Sequence, residues 1–180
     1  MRKVLFLFGQ LNDDDVEWML TAGAKRSVPA GGVLIEQGMP VDALFILLEG
    51  KLAVRLRSRR GPERELARLD AGEIVGEMSF VDARPPSATV QALEDSTVFA
   101  LSKATLNRKL AADSGFAARF YRALAIYLST TVRERHRDLG SGGERDDDEE
   151  DSDELDANVL DGVYLAGERF DRMVKRVLVS

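Results

Sequence analysis

The sequence predicts an α+β protein, an antiparallel β-roll (a double-stranded β-helix or jelly roll) with flanking N- and C-terminal helices. Three observations carry that prediction. Apolar residues recur at helical spacing near the start, switch to short runs cut by turns, with approximate alternation in places, from about Ser27 to Ser102, and return to helical spacing afterwards. Glycines at 31, 32, 38 and 50 cut the middle stretch into pieces too short for helices. Several short strands at such spacing, with turn residues between them, indicate a sandwich or roll.

Each element follows from its residues. Asn12 is a good helix N-cap, and Asp13, Asp14 and Asp15 occupy the positively polarised first turn behind it. Val16, Met19 and Leu20 continue that helix and Gly23 ends it, so residues 1–26 form an N-terminal helical segment. Residues 27–102 form the roll. Within it, Ala53–Arg57 approximates a strand with one wet face, Arg59–Pro62 makes a polar hairpin loop, and Glu65–Leu69 pairs back. Val90–Leu101 supplies two further strands around an Asp95–Ser96 turn. Residues 103–140 carry a short helix, a break at Asp113–Gly115, and a long helix with Phe116, Phe120, Ala123, Leu124, Tyr127, Leu128 and Val132 along one stripe.

The tail divides in two. ERDDDEEDSDE, residues 144–154, has nine acids and one arginine, so 141–154 reads as a solvated linker. Without that run the formal charge of -6 becomes about +2. Residues 155–180 then form a last amphipathic helix with Leu155, Val159, Val163, Phe170, Val174, Val177 and Leu178 on one face. The same pattern suits docking on its own domain or recruitment of a protein partner.

Composition removes several classes of function. No cysteine is present, which excludes thiolate metal sites, disulfides and cysteine nucleophiles. The single histidine, His136, stands among charges. The apolar run VLFLF near the start is too short for a signal-peptide core, and no stretch approaches the roughly 20 apolar residues of a membrane span. The expectations are therefore a cytoplasmic, non-enzymatic protein without metal or membrane.

Between Gly76 and Val90 the chain reads GEMSFVDARPPSATV. With VPAGGVLIEQGMPVDALFILLEGKLAV before it and the ordered turns of LARLDAGEIVGEMSF and PSATVQAL, the sequence resembles the cyclic-nucleotide-binding domain of catabolite-activator-type regulators and kinase regulatory subunits over about residues 11–138. The resemblance implies that 76–90 is a phosphate-binding cassette for a cyclic nucleotide, cAMP or cGMP. Glu77 would accept a hydrogen bond from the ribose 2′-hydroxyl, Gly76 and Met78 would line the sugar, and Ser87, Ala88 and Thr89 would face the phosphate. It further implies a homodimer through the long helix, 116–138.

One position departs from the family. Its phosphate-pairing arginine commonly stands three residues before the closing threonine, and here that position is Pro86, which has neither charge nor N–H. Two alternatives follow: a pocket in which Arg84 substitutes, or a remodelled or empty one in a scaffold that binds no cyclic nucleotide. A transcription regulator is disfavoured, because only forty residues follow Gly140, the first part acidic, and acid repels the DNA backbone. The expectation is a stand-alone sensor domain without a helix-turn-helix and with no nucleic-acid partner.

Overall fold

The structure, a computed structural model, describes residues 4–58, 61–82, 84–140 and 157–179. The chain begins with α1 (Val4–Gln10) and α2 (Asp13–Ala22), then runs through β1 (Ala24–Val28), β2 (Val33–Ile35), β3 (Ala43–Glu49), β4 (Leu52–Leu56), β5 (Arg64–Leu69) and β6 (Ile74–Val75). A one-turn helix, α3 (Glu77–Val81), precedes β7 (Thr89–Ala92) and β8 (Ser96–Ser102). Three helices follow: α4 (Lys103–Ala112), α5 (Ser114–Gly140) and α6 (Ala157–Val179). The strands form two four-stranded antiparallel sheets, β1-β8-β3-β6 and β2-β7-β4-β5. An eight-strand antiparallel roll with flanking helices is thus the fold.

The run ALFILLE in β3 explains how the layers join. Alternate side chains of a strand point to opposite faces. Ala43, Phe45 and Leu47 enter the interior of the roll, with Leu52, Val90 and Val98. Leu44, Ile46 and Leu48 enter a second core made with the helices. A strand buried on both sides needs apolar residues at every position, which is why its sequence shows no alternation.

The second core is larger and helical. Phe116 and Phe120 of α5 stack at 5.6 Å between centroids, and Trp18 of α2 meets Phe116 edge-on at 5.2 Å. These aromatics of the long helix are core residues; Val132, at the far end of the same stripe, is exposed. α1 lies inside the helical segment expected over 1–26, as a separate helix ahead of the Asn12 cap. Its Val4, Leu7 and Phe8, with Leu11 beyond its end, face α5 and α6, and Phe6 is buried as well, so VLFLF belongs to a short apolar helix sunk into the domain.

Asn12 caps α2 as expected and does more. Its side chain accepts from Asp15 N–H at 2.8 Å, while its own N–H donates to Asp15 Oδ2 at 2.9 Å, a reciprocal capping box. The Asp15 carboxylate, 3% exposed, also receives two bonds from the Arg119 guanidinium of α5, at 2.6 and 2.8 Å. One side chain therefore closes α2 and ties it to the long helix.

α6 lies back on its own chain. Ala166, Phe170, Met173 and Val177, spaced at i, i+4, i+7 and i+11, are buried against the helical core, with Val174 and Leu178 partly so. Leu155 lies outside the described residues, as do the side chains of Val159 and Val163. Arg169, its side chain 11% exposed, donates to the carbonyls of Phe8 and Leu11 at 2.8 Å each and to Asp13. It thereby satisfies backbone acceptors at and just beyond the end of α1 that no intrahelical donor reaches. Arg176 bonds Glu17, and Lys25 Nζ donates to the carbonyl of Leu178. The apolar face of this helix is covered by its own domain, while Tyr164 and Leu165 stay exposed. Among the described residues no helix is long and apolar enough to cross a membrane.

Candidate ligand cavity

Strand β6 ends at Val75, and the chain must turn sharply into α3. Gly76 makes the turn at φ 89°, in the left-handed region. A Cβ there would sit 2.8 Å from the carbonyl oxygen of Ala43. Strain and clash together give an expected loss of about 1–2 kcal/mol for Gly76→Ala, read as a lower midpoint in thermal unfolding.

This turn borders a cavity of about 290 Å³. Its walls are apolar, from Ile35, Val54, Val75 and Val90 on the strands and Pro85 and Pro86 on the loop. Six of the residues singled out in the sequence line it: Gly76, Glu77, Met78, Arg84, Ser87 and Ala88. Thr89 lies elsewhere. It lines a neighbouring hollow of about 310 Å³ with Gln37 and Arg57, and its hydroxyl accepts from the Gln37 N–H at 3.2 Å. Strand alternation is the cause, because Val90 points into the roll and Thr89 must then point the other way. Gln37 completes that side by bonding both the N–H and the carbonyl of Arg57.

The charged groups are unevenly placed. Arg84 stands at the rim with its side chain 84% exposed; its N–H donates to Asp82 Oδ1 at 3.0 Å and its Nε lies 4.0 Å from Asp82 Oδ2. Two carboxylates, Glu77 and Asp82, line the cavity. Pro86 offers only its carbonyl, which accepts from the Gly38 N–H at 2.9 Å and so fastens the loop to the turn after β2.

Two residues not foreseen as site residues complete the surroundings. Tyr127 of α5, buried, donates its hydroxyl to Glu77 Oε1 at 3.2 Å. Lys103, at the start of α4, donates from Nζ to the carbonyl of Ser79 at 3.0 Å. Burial lowers the pKa of Lys103, an effect that Asp42 and Asp82 partly oppose. Both side chains thus connect α3 to the helices that follow the roll. For Tyr127 a signal existed: a tyrosine on an otherwise apolar stripe needs an acceptor when buried.

Known proteins resemble this chain in sequence and fold. Residues 25–113 match the family described as "Cyclic nucleotide-binding domain". The cAMP-dependent protein kinase regulatory subunit of Blastocladiella emersonii is 29% identical over 136 residues, covering 73% of this chain and 34% of that protein. The cyclic AMP receptor protein of Thermus thermophilus is 36% identical over 95 residues, covering 53% of this chain and 44% of that one. The chain therefore spans less than half the length of either relative. Among solved structures, the N-terminal domain of a transcriptional regulator from Streptomyces coelicolor superposes with a TM-score of 0.63 at 30% identity, over 71% of this chain and 94% of that chain. The chain belongs to the cyclic nucleotide-binding domain family.

Proposed function

We propose that this protein is a non-enzymatic regulatory module that senses a small, nucleotide-like ligand in the cavity beside α3 and acts through protein–protein contacts. The hydrogen bond from Tyr127 to Glu77 is the observation that supports this most. It joins a carboxylate on the cavity wall to the middle of a 27-residue helix, so a ligand that competes for Glu77 changes what holds α5. A ligand with different affinity for two positions of α5 shifts their populations. That helix leaves Tyr121 and Val132 exposed, which favours its use as a seam between two copies in a cytoplasmic homodimer. The exposed Tyr164 and Leu165 of α6 offer a second contact surface for a protein partner.

The competing reading is a scaffold that has kept the roll and binds no ligand. The solvent-facing Arg84 and the proline at 86 favour it. Thermal melting with millimolar cAMP, cGMP, adenosine or guanosine separates the two. A ligand at a hundred times its dissociation constant stabilises by about 2.7 kcal/mol, roughly 5–10 °C for a chain of this size. Tyr127→Phe should keep most of that shift and lose the ligand-dependent change in amide exchange along α5. No shift with any of the four compounds leaves the scaffold reading standing. Sedimentation of the same sample should give twice the 19.9 kDa chain mass, and a monomer contradicts the seam.

A further inference from the structure

We infer that the cavity prefers an uncharged, hydroxyl-bearing ligand of nucleoside size over its phosphate-bearing counterpart, a preference that rests on reading this cavity as a ligand site. The argument is a match of donors, acceptors and charge. Glu77 and Asp82 put two acidic residues in the lining, with the Tyr127 hydroxyl donating to the first and the Arg84 N–H to the second. Among the described lining residues Arg84 is the one cation, and its guanidinium is turned to solvent beside Asp82. Consecutive prolines at 85 and 86 delete two amide donors from the loop where an anion would need them. The Pro86 carbonyl is already engaged by Gly38, so the loop is fastened with its acceptor, and not a donor, at the turn.

A ligand with neighbouring hydroxyls suits this set. Each hydroxyl both donates and accepts, so it gives a proton to a carboxylate and takes one from the Ser87 hydroxyl or from the amides of Ser87 and Ala88. A phosphodiester only accepts. It adds a negative charge beside the acidic residues Glu77 and Asp82 between apolar walls, where screening by water is weak. The size fits as well: 290 Å³ stands at the small end of ordinary small-molecule sites, about 300–1,000 Å³.

Adenosine and cAMP, which differ in the phosphate, test the preference. The full chain is titrated with each by calorimetry, with the amide resonances of Ser87 and Ala88 followed in parallel. Adenosine is expected to bind at least tenfold more tightly than cAMP, and Asp82→Asn to narrow that ratio at least threefold by removing one repelling charge. Equal or tighter binding of cAMP by the unaltered chain overturns the inference and leaves the sensing role intact. An unchanged or wider ratio in Asp82→Asn overturns its electrostatic basis. If neither compound moves the two amides, the sensing reading itself fails and the preference with it.

Discussion

Pro86→Arg is expected to tighten cAMP binding by about 30-fold to several-thousand-fold. The figure follows from what a charge-assisted contact is worth when one partner of a desolvated pair is deleted, about 2–5 kcal/mol, with tenfold per 1.4 kcal/mol. Position 86 already lines the cavity, so a guanidinium introduced there starts from the wall. Its main-chain duty is not lost, because any residue presents a carbonyl to the Gly38 N–H. Of the two acidic residues in the lining that could divert the new cation, Asp82 is already faced by Arg84 and Glu77 holds the Tyr127 hydroxyl. Replacing an imino acid also restores one amide donor to the loop. Isothermal calorimetry on the variant and the parent measures the change. An affinity within threefold of the parent would show that the cavity cannot place a phosphate against position 86, and the cassette reading of 76–90 would have to go.

Asp15→Ala is expected to cost about 3 kcal/mol, among the largest single-residue losses in this chain. The side chain accepts three hydrogen bonds at once: one from the Asn12 N–H, which is its half of the capping box, and two from the Arg119 nitrogens. Removing one member of a buried pair leaves the other charge without its partner, which costs about 3–5 kcal/mol; the lower end applies because a third of the Arg119 side chain still reaches water. Urea unfolding monitored by circular dichroism measures it, and a loss below about 1 kcal/mol would mean the pair is dispensable. The acid limb of the stability curve supplies a second reading. Burial alone would raise the Asp15 pKa, but the bonds from Arg119 and from the Asn12 N–H outweigh it and hold the carboxyl below its ordinary 3.8. A depressed folded pKa contributes stability that is fully present above 3.8 and disappears as the pH falls through the lower, folded value. Asp15→Asn should therefore lose less on acidification than the parent does. Asp13, bonded to Arg169, and Asp113, bonded to Lys109, shift in the same direction and add to the same limb.

How much of this could be read from the chain depended on whether the information was local. The Asn12 cap, the glycine punctuation and the long stripe of α5 are local patterns, and each reappears as an element within a few residues of its expected place. The roll was legible because turn residues and strand alternation recur in order. That α1 is a helix of its own, ahead of the Asn12 cap, is not legible, for a physical reason. Seven residues, dense in apolar side chains and without a capping residue, give a helix and a strand equal support, and only packing against α5 and α6 decides. The docking of α6 was left open for the same reason, since an amphipathic face states that it wants cover and not whose.

The cavity was partly legible. Loop residues from Gly76 to Ala88 converge because they are neighbours in sequence, whereas Ile35, Val54 and Tyr127 arrive from distant strands and a helix that only the fold brings near. Thr89 shows the limit of motif reasoning. A one-residue step along a strand reverses the side chain, and no spacing rule for the loop carries that reversal across its junction with β7.

Because α6 settles on α1 and α2, the beginning and the end of the described chain are clasped together, and the acid-rich stretch between Gly140 and Ala157 bridges two anchored helices. A protease nick in that bridge would not release a fragment at once. The severed peptide would remain a ligand of the body it came from, held by Phe170, Met173 and the Arg169 fork, and would leave only on dilution below its own dissociation constant, because the cut turns an intramolecular contact into a bimolecular one.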